Sequence, residues 1–599
     1  MNRMSRTEIA FLAVLVASAC VVQCVVIQRA AVPALDAVRF VDSARRLGET
    51  GLVELARSAP DAPLFAIWVA AVHAMLTGLV GELHQAWALS AQIASAMPLV
   101  LLPIPVYGLS RRLAGSRPAL YGTALVVFLP ELVPLGGDGI SDSTHLFLLS
   151  LAMWLLAAAF SARRTESPPG PAVAVLAATA GVSTGLAALV RAEAAVLALA
   201  CAIVLAGGRF YPASACHGRR FATLFAYGLG FAATAGFYAL LARTPLADWL
   251  PASSASAATG PAFASAAANP APPEISLPGG ENLSFAPKDP TISIRRRGWA
   301  AAPGQLLEKL AKAMAYAPGL LALAGLLSLR RRPASAADRL LQIFTLLLLG
   351  GIFVHTAREG YLSARHLLPV CVAAAACMGR GIEVAAGAVW RGVSRFPPLV
   401  PKPESENAAS NQTRHFESCL AAAIVLGVVA ISLVDGTRPA HRTRLGHRLA
   451  AGWLARHAAA GQRVVDTQGL TGLYSGLPTI PYAASRAELG RDGLRYFVVE
   501  DQELRRASKR SQTLSLLLAT AGQHVARFPA AHEPDREAAG VSIYRWDASR
   551  FRAAAATGLS GDAPEIRLTV HAICPAGQSA AAPGVFAECL NDDGSPARN

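Results

Sequence analysis

Long apolar segments separated by short polar ones run through most of the chain. Several runs have about 20 apolar residues, the length that a helix needs to cross about 30 Å of hydrocarbon. Arginine clusters end many of these runs, as the positive-inside rule expects of cytoplasmic loops, and Arg3 and Arg6 place the N-terminus in the cytoplasm. We predict about eleven spans, at residues 9–27, 86–109, 118–135, 143–160, 171–190, 194–206, 221–241, 303–329, 339–356, 366–381 and 418–434.

Two long loops lie outside the cytoplasm in this topology, at residues 29–85 and 243–302. The first loop contains a further apolar run at 63–80, which cannot be a full span without inverting the arginine rule. We therefore predict that this run is a re-entrant or interfacial helix. The second loop is rich in Pro, Ala, Ser and Gly, which is typical of a flexible linker.

The stretch after the first span predicts a short amphipathic helix beside the membrane. Apolar residues recur there at the helical period, and polar residues fall on the other side. Asp36 stands where an N-cap belongs, ahead of good helix-forming residues. The predicted apolar stripe consists of Ala37, Phe40, Val41, Ala44 and Leu47.

Beyond residue 436 the pattern changes to that of a soluble α/β domain, which we expect to end near residue 552. The predicted elements are a helix marked by Leu445, Leu449 and Trp453, strands at 463–467, 496–500 and 541–546, and a helix at 501–519. The tail at 553–599 is of low complexity, and its Cys574 and Cys589 form a disulfide only if the tail lies outside the cytoplasm.

The composition agrees with a polytopic membrane protein. The chain has 599 residues, of which 53% are hydrophobic and 16% charged, and its mean hydropathy is +0.40. Soluble proteins carry about 25% charged residues. The net charge of +15 does not indicate nucleic-acid binding, because much of the excess lies in short arginine clusters at span ends. The first apolar run is long for a signal peptide, so we interpret it as a retained span.

The predicted external turns collect acids and arginines that the spans lack. Arginine forks suit phosphate oxygens, and a carboxylate can take the proton of an attacking hydroxyl. No nucleotide-binding loop and no HExxH or CxxC motif is present, so the residues indicate no cofactor and no particular metal. The candidate site residues are Asp36, Asp142, Arg191, Arg358, Tyr361 and Arg365.

The order of these features resembles the GT-C superfamily of polytopic glycosyltransferases, which includes protein O-mannosyltransferases and the aminoarabinose transferases of lipid A. The resemblance covers the chain up to about residue 552. The matching pieces are Leu-Asp-Ala-Val-Arg-Phe at 35–40, Ala-Pro-Leu-Phe at 62–65, Gly-Ile-Ser-Asp-Ser-Thr-His-Leu-Phe at 139–147, Leu-Val-Arg-Ala-Glu at 189–193 and Gly-Tyr-Leu-Ser-Ala-Arg-His-Leu-Leu-Pro at 360–369. Asp466-Thr467 with Gly-Leu-Tyr-Ser-Gly at 472–476 also looks like the external domain of bacterial members.

The resemblance implies a fold, a reaction and a location. Residues 1–435 would form a helical GT-C-like catalytic domain, followed by a small extracytoplasmic α/β domain at 436–552. Asp36 would be the catalytic base, and the enzyme would move a sugar with inversion from a polyprenyl-phosphate donor to a lipid, glycan or protein acceptor. The protein would lie in a bacterial plasma membrane among membrane lipids. Two departures from the family pattern are Ala37, where many relatives carry a second acid, and Ala62, where many carry His.

Other interpretations of the same residues stay open. Asp36 and Asp142 can be simple helix caps, Arg191 and Glu193 a local ion pair, and Arg358 and Arg365 interfacial anchors. A lipid or solute transporter or flippase is one rival function, although the span interiors have almost no ionisable residues. An inactive GT-C-like scaffold is the other rival.

Overall fold

The computed structural model describes residues 4–58, 63–80, 85–162, 171–207, 217–243, 298–330, 334–393, 406–506, 508–529 and 540–557. These residues fall into two compact units, one of helices up to residue 440 and one containing a sheet after it. Most of the long loop at 243–302 and most of the tail, with Cys574 and Cys589, lie outside the described residues.

The helical unit begins with thirteen described α-helices before the long loop. They are α1 (Arg6–Arg29), α2 (Leu35–Thr50), α3 (Leu52–Ser58), α4 (Pro63–Val80), α5 (Ala86–Leu101), α6 (Pro103–Ala114), α7 (Ser116–Val127), α8 (Leu135–Asp138), α9 (Asp142–Ala162), α10 (Pro171–Val190), α11 (Ala195–Ala206), α12 (His217–Phe231) and α13 (Phe237–Ala242). A π-helical turn, Ala232–Gly236, joins the last two.

Six further α-helices of this unit follow the long loop. They are α14 (Gly298–Ala313), α15 (Ala317–Leu329), α16 (Ala336–Glu359), α17 (Leu368–Ala373), α18 (Ala375–Val393) and α19 (Glu406–Gly436). Apolar side chains from helices on both sides of the loop are buried in one continuous core.

Seven of the described helical segments are long and apolar enough to cross a membrane, or up to nine if each of two bent pairs forms one span. The helical membrane architecture is therefore confirmed, and the count of about eleven spans stays a prediction. The predicted spans at 118–135 and 194–206 contain helices of only 12 residues each, α7 and α11. Twelve residues of α-helix extend about 18 Å, which is shorter than the hydrocarbon core.

Two predicted spans, at 118–135 and 303–329, are broken in the structure, and proline or backbone geometry explains each break. The apolar run at 118–135 stops being helical after Val127, and Pro130 and Pro134 follow, where the residue before each proline is disfavoured in the helical region. The run at 303–329 bends by 100° between α14 and α15, where Ala315 and Tyr316 both have positive φ, at 49° and 56°. Hydrophobicity alone shows neither break.

The sheet unit contains five strands in the order β2-β1-β3-β5-β4. β1 pairs in parallel with both β2 and β3, whereas β5 is antiparallel to β3 and to β4. The strands are β1 (Arg463–Asp466), β2 (Thr479–Pro481), β3 (Leu494–Glu500), β4 (Gly522–Phe528) and β5 (Val541–Trp546). The α-helices are α20 (Leu445–His457), α21 (Gly472–Ser475), α22 (Asp501–Leu504), α23 (Lys509–Ala521) and α24 (Ala548–Thr557).

Apolar residues on both faces of the central strand explain its uninterrupted hydrophobic sequence. Tyr496 and Val498 belong to the core that includes α20, and Phe497 and Val499 to the core that includes α23. Strands buried on both faces lose the alternation of half-buried strands. The predicted strands at 463–467, 496–500 and 541–546 correspond to β1, β3 and β5, while β2 and β4 were missed.

The stripe predicted for α20 is only partly right: Trp453 packs against Tyr496 of the sheet, but Leu449 does not. Leu449, predicted to point inward, is 39% exposed, and Leu445 and Trp453 are only partly buried. Ala450 and Leu454 are completely buried instead. A small residue such as alanine lets a helix approach the sheet closely, which a hydrophobicity pattern undervalues. The predicted single helix at 501–519 is two helices, α22 and α23.

Candidate active site

Asp36 lies in the first turn of α2, which starts one residue earlier, at Leu35. The N-cap residue is Ala34, so the expectation that Asp36 is the cap is wrong. The predicted stripe is confirmed at Ala37, Val41 and Ala44, which are buried. The helix dipole favours a negative charge in the first turn, and the side chain of Asp36 is 47% exposed, so its carboxylate is accessible.

Two contacts hold the start of α2 in place. The Ala34 amide donates a hydrogen bond of 2.9 Å to the carbonyl of Asp138, which joins the first predicted external loop to the second. The ring of Phe40 meets the ring of Phe65 edge to face, with 4.9 Å between centroids. Phe65 is completely buried in α4, the helix expected to be re-entrant or interfacial. Asp36 therefore stands on a fixed scaffold.

Ser95 of α5 holds the turn between α8 and α9 in place. Ser95 Oγ lies 2.8 Å from the Leu135 carbonyl, 2.9 Å from the Ile140 carbonyl and 2.8 Å from Ser143 Oγ. Gly139, within the turn, has φ of +65°, a conformation that side-chain-bearing residues avoid. The chain then enters α9 at Asp142, which is 6% exposed.

Arg191 connects two acids immediately after α10. Its Nε and Nη2 donate to the two carboxylate oxygens of Glu193, at 3.0 and 2.9 Å, which is a bidentate pair. Its Nη1 donates to Asp142 Oδ1. The local ion pair expected from sequence is therefore present, and it extends to an acid 49 residues away.

The charges of this group stabilise each other. Burial opposes ionisation of Glu193, but the adjacent Arg191 guanidinium outweighs it and holds the pKa of Glu193 well below its usual range. Burial also opposes the charge of Arg191, and the carboxylates of Asp142 and Glu193 outweigh that effect and raise its pKa. Arg191 and Glu193 are therefore ionised near neutral pH, and the guanidinium nitrogens of Arg191 are occupied by hydrogen bonds.

Arg365 comes to the same place from the far side of the sequence. α16 ends at Glu359, the φ of +69° at its C-cap Gly360 turns the chain, and a 3-10 turn, Ala364–Leu367, follows. From this turn Arg365 Nη2 donates to Asp36 Oδ2 over 2.9 Å. Arg365 also interacts electrostatically with Asp142 and Arg191.

A cleft with about 310 Å³ of empty space that opens to solvent is lined by Asp142, Arg191, Glu193 and Arg365, and Asp36 contacts Arg365 at its edge. Its lining contains both apolar and charged side chains. The lining residues are Asp142, His145, Leu146, Arg191, Glu193, Leu348, Ile352, Arg365, His366 and Pro369.

The structure brings together four of the six residues predicted for the site: Asp36, Asp142, Arg191 and Arg365. Arg358 and Tyr361 are exposed and do not line the cleft, and Tyr361 is 53% exposed. Their assignment to substrate binding stays a prediction.

Two histidines of the cleft received no functional role from the sequence. His145 is buried with Nδ1 3.4 Å from the Ala187 carbonyl, and His366 follows Arg365 directly. Both lie within the motifs at 139–147 and 360–369, and this position is the only sequence feature that could have assigned them to the site. In the described ranges, no group of three or more His, Cys, Asp and Glu side chains is arranged to hold a metal ion.

Comparison with known proteins starts from structure, since no protein-family model and no curated protein matches the sequence. The crystal structure of ArnT from Cupriavidus metallidurans bound to undecaprenyl phosphate is similar, with a TM-score of 0.55 and 13% identity over 89% of this chain and 98% of ArnT. Its apo form gives a TM-score of 0.52 and 13% identity over 91% and 99%.

The chain has the GT-C fold. The likeness to ArnT extends over most of both chains, so it is not confined to a few helices. The archaeal oligosaccharyltransferase AglB from Archaeoglobus fulgidus, in complex with an inhibitory peptide and a dolichol-phosphate, is a weaker match, with a TM-score of 0.48 and 12% identity over 87% of this chain and 73% of AglB. The likeness to ArnT and the long apolar helices confirm the GT-C fold and the helical membrane architecture predicted from sequence.

Proposed function

We propose that this protein is a membrane glycosyltransferase that moves a sugar from a polyprenyl-phosphate donor to a lipid, glycan or protein acceptor. The observation that carries the proposal is an accessible carboxylate, Asp36, paired with an arginine, Arg365, at the edge of a cleft in a GT-C fold. The ArnT structure that shares this fold is bound to undecaprenyl phosphate, which supports a lipid-phosphate donor.

In the proposed reaction, Asp36 accepts the proton of the acceptor hydroxyl as the hydroxyl oxygen attacks the anomeric carbon. A new carbon–oxygen bond forms while the bond from that carbon to the phosphate oxygen breaks, so the configuration inverts. The leaving group is the polyprenyl phosphate, which gains negative charge. Arg365 stabilises that charge, and a guanidinium in a partly desolvated site does so more strongly than in water.

The remaining charged residues have supporting parts in this proposal. Arg191 holds Asp142 and Glu193 in place, and its nitrogens are occupied by them. We assign Asp142 to contact with the sugar, because it is a buried carboxylate on the wall of the cleft. Carboxylates accept hydrogen bonds from sugar hydroxyls readily.

The proposed location is a bacterial plasma membrane, with a cytoplasmic N-terminus and the α/β unit outside. Glu8 near the start of α1 supports this orientation, since its carboxylate accepts from Tyr107 and from Arg111, one of a cluster of arginines that the positive-inside rule assigns to the cytoplasm. Labelling of single cysteines placed at Ser5 and at Asp492 with a membrane-impermeant maleimide tests it. We expect labelling of intact cells at position 492 only.

The test of the activity uses lipid mass spectrometry in a strain that lacks the gene. The polyprenyl-phosphate sugar that accumulates there identifies the donor, and re-expression of the wild-type chain should clear it. Asp36→Asn should leave it accumulated, whereas Asp42→Asn, on the same helix and 45% exposed, should clear it. Clearance by a normally inserted Asp36→Asn protein would refute the assignment of the base.

A second measurement separates an enzyme from a flippase. In liposomes that contain the purified protein, the donor and its acceptor, a glycosyltransferase releases free polyprenyl phosphate and joins the sugar to the acceptor. A flippase moves the intact lipid and breaks no bond. Detection of transbilayer movement without sugar transfer would contradict the proposed reaction and favour the transporter.

A further inference from the structure

The guanidinium of Arg365 has one hydrogen-bonding edge that is only half used. Nε and Nη2 of an arginine point the same way and together match two oxygens of a carboxylate or phosphate. Arg191 shows the complete arrangement in this protein, since its Nε and Nη2 both donate to Glu193. In Arg365, Nη2 donates to Asp36, while Nε is buried and lacks a hydrogen-bond partner among the described residues.

A buried donor without an acceptor is unfavourable, so this edge is prepared for a ligand with two oxygens. Nη2 carries two N–H groups, but the phosphate and the Asp36 carboxylate are both anions, and they repel each other when they meet at the same nitrogen. A phosphate that uses both nitrogens therefore competes with Asp36 for Nη2. A phosphate can replace Asp36 in this ion pair, because the side chains of Arg365 and Asp36 are 30% and 47% exposed.

We propose that Arg365 is an exchangeable latch on the catalytic base. Without a donor it holds the Asp36 carboxylate; when a polyprenyl phosphate binds, the phosphate takes the Nε–Nη2 edge and Asp36 is released toward the acceptor. The inference rests on the proposed function and adds that donor binding comes before release of Asp36. The base becomes available only after the donor is in place, which disfavours deprotonation of an acceptor hydroxyl without a sugar to receive it.

The latch and a purely structural ion pair predict opposite effects of one substitution on phosphate affinity. If Asp36 only orients Arg365 for the phosphate, Asp36→Asn weakens phosphate binding. If Asp36 competes with the phosphate, the same substitution strengthens binding. An exposed ion pair contributes up to about 1 kcal/mol, so we expect Asp36→Asn to tighten binding by about two- to fivefold. Arg365→Gln should weaken it by about tenfold or more, because a charged hydrogen-bond donor is lost.

The experiment measures binding of undecaprenyl phosphate to the full-length purified protein in detergent, by thermal shift and by equilibrium titration. Four proteins form a cycle: the wild type, Asp36→Asn, Arg365→Gln and the double variant. The latch requires the gain from Asp36→Asn to disappear when Arg365 is Gln. Asp42→Asn, which removes a charge from the same helix, should leave the affinity unchanged within about twofold.

The outcomes separate failure of the latch from failure of the proposed function. Two results overturn the latch. In the first, Arg365→Gln weakens binding but Asp36→Asn does not increase the affinity. In the second, Asp36→Asn increases the affinity and the increase persists in the double variant. Neither result affects the sugar-transfer assay. An inactive wild type in that assay rejects the proposed reaction, whatever the binding cycle shows. Inorganic phosphate is not expected to saturate the site at the same concentrations, and saturation that depends on Arg365 would overturn the lipid ligand.

Discussion

Arg365 donates a hydrogen bond of 2.9 Å from Nη2 to Asp36 Oδ2, although 329 residues separate the two. One partner lies in the first turn of the helix after the first span, and the other in a 3-10 turn near the end of the helical unit. Next to them, Arg191 joins Asp142 to Glu193. These contacts make one charged site from four separate parts of the chain.

The two arginines of the last predicted turn should differ in function. Arg365 lines the cleft and contacts Asp36, whereas Arg358 is exposed at the end of α16 and lies outside the cleft lining. We expect Arg365→Gln to raise the KM for the donor by about tenfold or more, and Arg358→Gln to change it by less than about twofold. Steady-state kinetics of sugar transfer with purified variants measures both. Equal effects would show that the donor phosphate reaches beyond the cleft.

Arg191 should be needed for stability as well as for the site. Arg191→Gln leaves the carboxylates of Asp142 and Glu193 without their shared cation, and breaking such a buried pair destabilises by about 3 kcal/mol or more. The control is Arg438→Gln. It breaks a pair with Asp435 whose side chains are 73% and 57% exposed, so it should change stability by less than about 0.5 kcal/mol. Thermal unfolding in detergent compares them, and similar midpoints for the two variants would contradict the prediction.

Gly139 should resist substitution because of its backbone. Its φ is +65°, and an added Cβ would lie 3.3 Å from the Cβ of Ala91. Gly139→Ala should destabilise by about 1–2 kcal/mol, and it should lower activity because the turn leads into Asp142. Gly228→Ala in α12 is the matched control, since nothing lies within 4 Å of its added Cβ. Thermal unfolding and sugar-transfer assays compare the two variants. Unchanged stability and activity in Gly139→Ala would show that the turn accommodates a side chain.

The α/β unit should lose stability in acid through Glu500. Burial raises the pKa of this carboxyl, but the hydrogen bond and charge of His447, with Nε2 3.1 Å away, outweigh it and lower the pKa below its ordinary 4.5. A lowered folded-state pKa gives stability that is complete above the unfolded value and lost as the pH falls through the folded value. We therefore expect the pH dependence to appear below pH 4.5.

Hydrogen–deuterium exchange in the full-length protein measures this effect at β1 and β3, between about pH 6 and about pH 3.5, after correction for the intrinsic exchange rate. Glu500→Gln should flatten the pH dependence of protection in these strands. Asp492→Asn, at a side chain that is 84% exposed, should retain the wild-type profile. Parallel profiles for the wild type and Glu500→Gln would place the acid sensitivity elsewhere.

The sequence determined the features that depend on neighbouring residues. Apolar runs of membrane length indicated helices, and the period within 35–47 gave the inner face of α2 at Ala37, Val41 and Ala44. Arg191 and Glu193 are two residues apart, so their ion pair could be foreseen. The apolar run at 496–500 identified the central strand β3, because a strand buried on both faces is continuously hydrophobic.

Only the tertiary structure decided which distant charges meet and which apolar residues are buried. Asp36 with Arg365, and Asp142 with Arg191, come together through the packing of helices, and a local pattern carries no information about such contacts. The short edge strand β2 has three residues, too few for a period, and Leu449 is exposed because Ala450 and Leu454 face the sheet. Sequence specifies elements through local periodicity, but the site arises from long-range packing, which brings residues together regardless of their separation along the chain.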